Sequence, residues 1–201
     1  MKKSIILSTI VLLVVLVTSS MVPSTDVVQV KNKVFEVSYS QKLEQPMWLV
    51  YYSTNRPTNV NRGSMDFYTE KGIRTSDHED YKGNVWDKGH LAPAATFSDN
   101  MENLKQTFSY LNSALQHQDL NRGEWRILEE QERNWDDKEN LMVKVDLIFD
   151  KNSQILPTGA TVPSFFVKHI HFEKTDVWKC YKFINAKPTK RWFDHEIKCK
   201  H

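Results

Sequence analysis

Cysteine is scarce in this sequence, which limits the kinds of metal site that it can build. Only Cys180 and Cys199 occur among the 201 residues, and neither has a Cys-x-x-Cys partner. This scarcity argues against a structural zinc site. In an oxidising compartment an even pair of cysteines predicts one disulfide, and two unrelated buried thiols are the alternative.

An excess of positive charge is also missing. The chain has 27 basic and 25 acidic residues, and Lys2 and Lys3 are the only charged residues in 1–20, so the rest of the chain has 25 of each sign. A protein that binds polyanions by charge alone carries a net positive charge. Attraction for a phosphate backbone must therefore come from a local patch and a metal ion, which is compatible with an enzyme.

No apolar run is long enough for a typical membrane-spanning helix. The run over residues 5–17 follows two lysines and leads into small residues at 18–20, an arrangement typical of a secretory signal. The exit lacks an Ala-x-Ala site, so an uncleaved anchor is the alternative. We expect residues 1–20 to be a signal peptide or N-terminal anchor and 21–201 to be a single domain. The protein would then be exported, periplasmic or secreted, with membrane attachment only through an uncleaved N-terminal segment.

Hydrophobic patterning predicts one α+β domain with a largely antiparallel central sheet flanked by helices. The segments that favour strands are 47–52, 107–111, 141–149, 161–170 and 177–185. Helices are predicted over about 98–104, with Ser98 or Asp99 as cap, and over 121–134, with Asn121 as cap. Residues 53–84 are polar and turn-rich, a long irregular segment of the kind that tends to carry function. Residues 116–120 are predicted to be a loop.

A histidine within residues 86–94, which read Trp-Asp-Lys-Gly-His-Leu-Ala-Pro-Ala, is the natural general base. The unperturbed pKa of histidine is about 6.5, so neutral His90 can take a proton from water near neutral pH. Gly89 beside it removes side-chain bulk and would allow a substrate backbone to approach. A lone histidine is more often structural than catalytic, so this hypothesis depends on its neighbours.

The predicted helix over 121–134 carries four side chains at intervals of four residues: Asn121, Trp125, Glu129 and Arg133. At 1.5 Å per residue, Asn121 and Glu129 would lie about 12 Å apart along the axis, too far for both to ligate one ion directly. An arrangement that fits has Asn121 Oδ1 on the ion and Glu129 accepting hydrogen bonds from its water. Oxygen ligands and retained waters favour Mg²⁺ over zinc. The alternative is an amphipathic surface helix with Trp125 in the core.

Three cations are candidates for holding a scissile phosphate: Lys88, Arg133 and Arg62. A solvated surface cation is the alternative for each, and for Arg62 this alternative has nearly equal weight. Taken together, a base, an oxygen ligand pair and phosphate-binding cations indicate metal-assisted phosphodiester cleavage.

Two sequence motifs resemble the signatures of the DNA/RNA non-specific endonucleases. Residues 87–93, Asp-Lys-Gly-His-Leu-Ala-Pro, are similar to the family's Asp-Arg-Gly-His-x-Ala-Pro. Residues 112–116 and 120–129, Asn-Ser-Ala-Leu-Gln and Leu-Asn-Arg-Gly-Glu-Trp-Arg-Ile-Leu-Glu, resemble its second signature. Residues 48–51 and 162–168 also look like its opening strand and a late strand.

The resemblance covers about residues 45–185 and implies a ββα-metal (His-Me finger) nuclease fold that binds one hydrated Mg²⁺, with Mn²⁺ as a substitute. On the matching positions His90 is the general base, Asn121 the direct metal ligand, Glu129 a residue bonded to metal water and Arg133 a phosphate-binding arginine. The implied substrates are DNA and RNA, cleaved with little sequence specificity.

Two residues depart from the family pattern: Lys88 in the first motif, and Leu115 in the second, which replaces the usual proline and indicates a local loop change. Lys88 replaces the motif's arginine, which keeps the charge but loses the planar fork that grips phosphate. Arg62 matches the upstream phosphate-binding arginine only loosely. We expect Asp87, Asn112 and Trp125 to support the site structurally. The alternatives are a catalytically weak nucleic-acid-binding module on the same fold, or a phosphodiesterase for another substrate. An inhibitor protein is a further expected partner class.

Overall fold

A seven-stranded antiparallel sheet is the main layer of the computed structural model, which describes residues 26–200. The strands are β1 (Val27–Lys31), β2 (Phe35–Ser40), β3 (Gln45–Ser53), β4 (Trp86–His90), β5 (Ser113–His117), β6 (Leu141–Ile148), β7 (Phe165–Phe172), β8 (Val177–Ile184) and β9 (Glu196–Ile197). The large sheet has the order β1-β2-β3-β6-β7-β8-β9, and β4 pairs with β5 separately. The expected signal peptide or anchor over residues 1–20 lies outside the described residues.

The helices are short and lie mainly between β4 and β6. They are α1 (Met101–Thr107), α2 (Gln118–Leu120), a π-helical turn (Asn121–Trp125) and α3 (Arg126–Asp136). Single turns of 3₁₀ helix cover His78–Tyr81, Ala94–Phe97, Tyr110–Asn112 and Trp192–His195. No helix within residues 26–200 is long and apolar enough to cross a membrane. The predicted α+β class, with a mostly antiparallel sheet, is confirmed.

Buried and more exposed side chains alternate along the central strands, so one face of the sheet lies in the core. In β6 the buried side chains are those of Leu141, Val143, Val145 and Leu147, while the intervening residues face the other side. Successive strand residues point to opposite faces, so this period of two fixes the register. The strand predicted over 141–149 is therefore confirmed.

The helical segment after β5 packs across the buried face of the sheet. Trp125 is fully buried, with ring centroids 5.4 Å from Phe166 and 5.6 Å from Phe183. The buried Lys168 donates to Glu132 of α3 over 2.7 Å, which adds a polar attachment to the apolar one. These contacts hold α3 against β7 and β8, and they place Trp125 in the core.

Gly89 is required by the pairing of β4 with β5. A Cβ atom at this position would lie 2.3 Å from Gln116 Oε1 and 2.6 Å from Gln116 Cβ. The space that a side chain would need is thus occupied by Gln116 of the neighbouring strand. The expectation that Gly89 makes room for a substrate backbone is wrong.

The strand predicted over 107–111 is also wrong. Thr107 ends α1, Tyr110–Asn112 forms a 3₁₀ turn, and the strand lies at Ser113–His117, which includes part of the predicted loop. The Thr107 hydroxyl donates to the Leu104 carbonyl and the Asn112 side chain donates to the Thr107 carbonyl. These local hydrogen bonds override the β propensity of the segment.

The predicted helix caps are displaced. Asn100 caps α1, because its Oδ1 accepts from the Asn103 amide over 2.9 Å. Asn121 does not cap a helix: helical backbone begins at Gln118, where His117 Nδ1 accepts from the Asp119 amide over 3.2 Å. Asn121 therefore lies inside a helical run. The last strand before β8 likewise begins at Phe165 rather than 161, after a bridge from Thr161 to Ile155.

Candidate active site

A surface cavity of about 560 Å³ brings together five of the residues singled out in the sequence: Arg62, His90, Asn121, Glu129 and Arg133. It lies between the end of β4 and the helical segment that leads into α3. Lys88 lines an adjoining cavity of about 390 Å³ that shares Arg62, His90 and Asn121. Residues separated by 71 positions in the chain, from Arg62 to Arg133, therefore meet at one place.

His90 is the last residue of β4 and lies in an aromatic pocket. Its ring centroid is 4.7 Å from that of Phe67 and 5.0 Å from that of Phe108. Although part of the side chain is accessible, Nε2 is buried and has no hydrogen-bond partner among the described residues. Burial, with Arg62 as a smaller cause, lowers the pKa of His90 to about 3. The imidazole is therefore neutral at neutral pH and can accept a proton.

Asn112 fixes the backbone that follows His90. Its Oδ1 accepts from the Ala92 amide over 2.8 Å, and its Nδ2 donates to the Ala92 carbonyl over 2.9 Å. The Leu91 amide donates to the Asn112 carbonyl over 2.9 Å. Asn112 is fully buried, so these bonds satisfy polar groups that water cannot reach. The amide thus holds the segment after the candidate base in one conformation.

Asn121 is oriented by Asp87, which lies 34 residues earlier in the chain. Asn121 Nδ2 donates to Asp87 Oδ2 over 2.9 Å, and Arg122 grips the same carboxylate through Nε at 2.8 Å and Nη2 at 2.6 Å. Burial alone would raise the pKa of Asp87, but the bonds from Arg122 and Asn121 lower it below its usual value. Because the amide nitrogen is engaged, the carbonyl oxygen Oδ1 is the atom of Asn121 that is available to a cation.

Glu129 presents a carboxylate oxygen with no partner. Oε1 is buried and makes no hydrogen bond to any residue that the structure describes. Burial raises the pKa of Glu129 to about 7, opposed by Lys168 and assisted by Glu132. A buried polar atom without a partner is costly unless a ligand or water satisfies it. Its position in the same cavity as Asn121 fits a hydrated cation nearby.

The donor set is small and consists of oxygen atoms. Within residues 26–200 no group of three or more His, Cys, Asp and Glu side chains could hold a metal ion. One amide oxygen with a carboxylate nearby suits a hard divalent cation that keeps most of its water, rather than zinc.

The three candidate phosphate ligands differ in their surroundings. Arg133 lines the cavity, and its Nη1 is buried with no partner among the described residues. Arg62 is exposed, with Cζ 5.1 Å from the centroid of Phe108. Lys88 instead forms an ion pair with Asp66 at 2.9 Å, and this hydrogen bond is the main cause that lowers the pKa of Asp66.

Some residues of the site were not found from the sequence. Phe67 and Asp66 belong to the irregular segment over 53–84, where function was expected but no individual residue could be chosen. Phe108 fell in a wrongly predicted strand. Arg122 and Arg126 also line the cavity. Both lie in the second motif, so a search for cations near Asn121 would have found them.

A family model described as DNA/RNA non-specific endonuclease matches residues 17–196. The chain belongs to this family. Curated relatives include mitochondrial endonuclease G of Bos taurus, 29% identical over 116 residues, which cover 54% of this chain and 38% of the relative. The mitochondrial nuclease EXOG of Danio rerio is 30% identical over 98 residues, 46% of this chain and 29% of that one. The matched regions thus span less than half of either relative.

The fold of the DNA/RNA non-specific endonucleases is also found by structural comparison. A crystal structure of the EndoG/EndoGI complex, described as showing the mechanism of EndoG inhibition, matches with a TM-score of 0.76. The match covers 85% of this chain and 80% of that one at 22% identity. The predicted ββα-metal fold is confirmed, with β4, β5 and α3 as its ββα unit.

The predicted location is wrong by these comparisons. Export to the periplasm or medium was expected from the N-terminal pattern, but the curated relatives from Bos taurus, Danio rerio, Xenopus laevis and Mus musculus are named as mitochondrial proteins. The prediction of export used only the basic start and the short apolar run of this chain. Such a pattern of composition does not by itself identify the compartment.

Proposed function

We propose that this chain is a Mg²⁺-dependent endonuclease that hydrolyses phosphodiester bonds in DNA and RNA with little sequence specificity. Membership of a nuclease family supports the reaction class. The observation that carries the finer proposal is the meeting of His90, Asn121 and Glu129 in one cavity.

His90 acts as the general base. It is neutral at neutral pH and so has a lone pair that can accept a proton from an attacking water, while the burial that lowers its pKa to about 3 makes it a weaker base than an exposed histidine. Phe67 and Phe108 restrict the imidazole from two sides. A positioned base of this kind contributes roughly 10²–10⁴-fold to a rate.

Asn121 and Glu129 would hold the cation. Asn121 offers Oδ1, because its amide nitrogen is bound to Asp87, and Glu129 offers an unpaired oxygen to the water shell of the ion. When bound, Mg²⁺ stabilises the negative charge that develops on the phosphate and the leaving oxygen.

Arg133 and Arg62 bind the phosphate that is cleaved. A guanidinium presents fixed N–H donors that suit phosphate oxygens, and Nη1 of Arg133 is buried without a protein partner. Arg122 is held on Asp87 by two hydrogen bonds, so its main effect is to orient that carboxylate and, through it, Asn121.

The first test follows cleavage of supercoiled plasmid and of RNA with Mg²⁺ and with EDTA. His90→Ala and Asn121→Ala should each lower the rate by at least about 10²-fold, the loss of a positioned base or of charge stabilisation. His171→Ala and Asn134→Ala are the matched controls, on β7 and on the exposed side of α3, and should cleave normally. Near-normal cleavage by folded His90→Ala or Asn121→Ala would contradict the proposal.

One observation favours a second candidate, a catalytically weak nucleic-acid-binding module. Lys88, which stands where the family has arginine, is engaged by Asp66 and lies 5.5 Å from the Phe67 ring centroid. If this pairing removes a needed phosphate contact, the chain binds nucleic acid in a salt-sensitive way with no metal-stimulated turnover. Lys88→Arg should then restore cleavage. Turnover by the unaltered chain would rule this candidate out.

An inhibitor protein is the partner class that we propose besides nucleic acid. The related EndoG structure is described as an inhibited complex with EndoGI. Four arginines line the cavity of this chain, Arg62, Arg122, Arg126 and Arg133, so a blocking partner would present acidic groups there. Titrating the chain with EndoGI during plasmid digestion tests this directly. Undiminished cleavage at a saturating excess would contradict it for that inhibitor.

A further inference from the structure

The face of the sheet turned away from α3 carries a second group of reactive side chains. A cavity of about 350 Å³ opens there, lined by Met142, Lys144, Asp146, His169, Trp178, Cys199 and Lys200. Cys199 is joined to Cys180 of β8 by a disulfide. The candidate active site uses none of these residues.

Strand register explains why an imidazole lies against this disulfide. His169 in the middle of β7 is paired with Lys144 of β6 on one side and with Cys180 of β8 on the other. His169 Nδ1 is 3.2 Å from Cys180 Sγ, and Nε2 is 3.0 Å from Asp146 Oδ2. The carboxylate, the imidazole and the sulfur therefore form a continuous row across three strands.

Asp146 is held as a carboxylate within this row. Burial alone would raise the pKa of Asp146, but hydrogen bonds from His169 and from Lys144, the latter at 2.8 Å, lower it. The ionised Asp146 faces His169 Nε2, so the ring is held with Nδ1 towards Cys180 Sγ. A protonated imidazole can donate from Nε2 to Asp146 and from Nδ1 to Cys180 Sγ at the same time.

The two sulfur atoms differ in access. Cys180 is completely buried, while Cys199 is partly exposed and lines the cavity. An attacking thiolate must reach one sulfur and expel the other, and the choice between them is set by access. Here the accessible sulfur is Cys199, and the sulfur that would leave is the one beside His169.

We propose that Cys180–Cys199 is a thiol-exchange site for a small anionic thiol, with Cys199 as the attacked sulfur and Cys180 as the leaving sulfur. The thiolate forms a new S–S bond to Cys199 Sγ as the Cys199–Cys180 bond breaks. The bonding pair leaves on Cys180 Sγ, which is neutralised by the proton on His169 Nδ1. The product is a mixed disulfide on Cys199, and a second thiol can displace it as the symmetric disulfide.

The preference for an anionic thiol comes from the cavity lining. Lys144 and Lys200 contribute positive charge there, and Asp146 is already bound by Lys144 and His169. Reduced glutathione carries a net negative charge and is a suitable probe. Cysteamine, a cationic thiol, is the matched comparison at equal thiolate concentration.

The position of attack is tested on the unaltered, oxidised full chain. Brief exposure to glutathione, trapping with iodoacetamide and peptide mass spectrometry should find glutathione on Cys199 and the alkyl group on Cys180. Glutathione on Cys180, or on both sulfurs equally, would overturn the proposal. This measurement needs no variant and does not depend on nuclease activity.

The role of His169 is tested by rate. His169→Gln keeps a polar side chain but removes the ionisable proton, and should slow the exchange about tenfold because the leaving sulfur loses its stabilising partner. Asp146→Asn should slow it in the same direction. His171→Gln is the matched control: His171 lies two residues along β7, stacked on Trp178 and paired with Asp176, and its loss should leave the rate unchanged.

Two results would overturn these assignments. Equal exchange rates for His169→Gln and His171→Gln would remove His169 from the step. A cysteamine rate equal to or above the glutathione rate would remove the anionic preference. If His169→Gln does not fold, the exchange rate of Asp146→Asn tests the role of His169 instead, and an unchanged rate would remove His169 from the step. The position of the glutathione label still tests which sulfur is attacked.

Discussion

At the scale of single residues, packing sets the charge state of the candidate base. His90 packs against Phe67 and Phe108, which also pack against each other, and the exposed Arg62 lines the same cavity. Both burial and the nearby guanidinium disfavour the imidazolium, so both lower the pKa. The same packing that keeps the imidazole neutral also lowers its affinity for a proton.

The lowered pKa of His90 predicts a pH dependence of stability. The pKa is about 6.5 in the unfolded chain and about 3 in the fold, so the unfolded state binds more protons between these values. This contribution to stability is complete above about pH 6.5 and is lost as the pH falls towards 3. We expect His90→Phe, which fills the aromatic pocket without titrating, to lose less stability between pH 7 and pH 4.

The measurement is urea unfolding of both proteins over this pH range without metal, read as the difference between them. Subtracting the unfolding free energy of one protein from that of the other cancels the contributions of the titrating groups that both share. Loss of stability on acidification that is the same in both proteins would contradict the prediction. An NMR titration midpoint of His90 near the free value would contradict it independently.

At the scale of elements, α3 is attached to the sheet through buried polar groups as well as apolar ones. Glu132 accepts from Tyr51 of β3 and from Lys168 of β7, and Asp136 accepts from Ser53 of β3. Glu132 and Lys168 are both completely buried. Glu129, one turn before Glu132 on the same helix, lines the cavity and is thereby fixed in place.

Breaking the buried ion pair should be costly, and replacing both partners should be less so. Lys168→Met leaves Glu132 charged and unpaired, and should lower the unfolding free energy by about 3–5 kcal/mol. Combining Lys168→Met with Glu132→Gln removes that charge while keeping an acceptor for Tyr51, and should recover part of the loss. Denaturant unfolding at pH 7 measures both.

The exposed pair Lys31–Glu36 is the control, with side chains 77% and 45% exposed. Lys31→Met should cost less than about 1 kcal/mol. An equal unfolding free energy for the double variant and for Lys168→Met alone would contradict the prediction. The loss of stability would then not come from the unpaired charge of Glu132.

At the scale of the whole molecule, the C-terminal segment connects the sheet to the helical part of the site. The disulfide ties Cys199 to Cys180 of β8. Nearer the helix, the Trp192 amide donates to Glu124 Oε2 over 2.7 Å, and the Trp192 ring lies 5.9 Å from that of Trp135. Glu124 is in the π-helical turn that also contains Asn121, so this segment supports the turn from outside.

Removing the cross-link should destabilise the fold without removing any site residue. The paired residues are 19 positions apart, and a loop of this size is worth about 3 kcal/mol in the chain-entropy model. We expect Cys180→Ala/Cys199→Ala to lower the unfolding free energy by about that amount. Urea unfolding of the variant and of the oxidised chain, side by side without reductant, gives the comparison, and equal midpoints would contradict it.

The sequence by itself determined the family, the α+β class and the residues expected to act. The motifs at 87–93 and 120–129 contain His90, Asn121 and Glu129, and the alternation in 141–149 marks a half-buried strand. These features can be recognised in the sequence because each is a pattern of neighbouring residues. A short stretch of chain is enough to identify each motif or strand.

Only the tertiary structure decided how those residues are held. Phe67 buries His90, Asp87 turns Asn121, and Asp66 engages Lys88. Each of these contacts joins residues more than 20 positions apart, and local periodicity carries no information about such pairs. The same reason explains the failed strand at 107–111: Asn112 exchanges hydrogen bonds with backbone distant in sequence, and those bonds outweighed the local preference for extended chain.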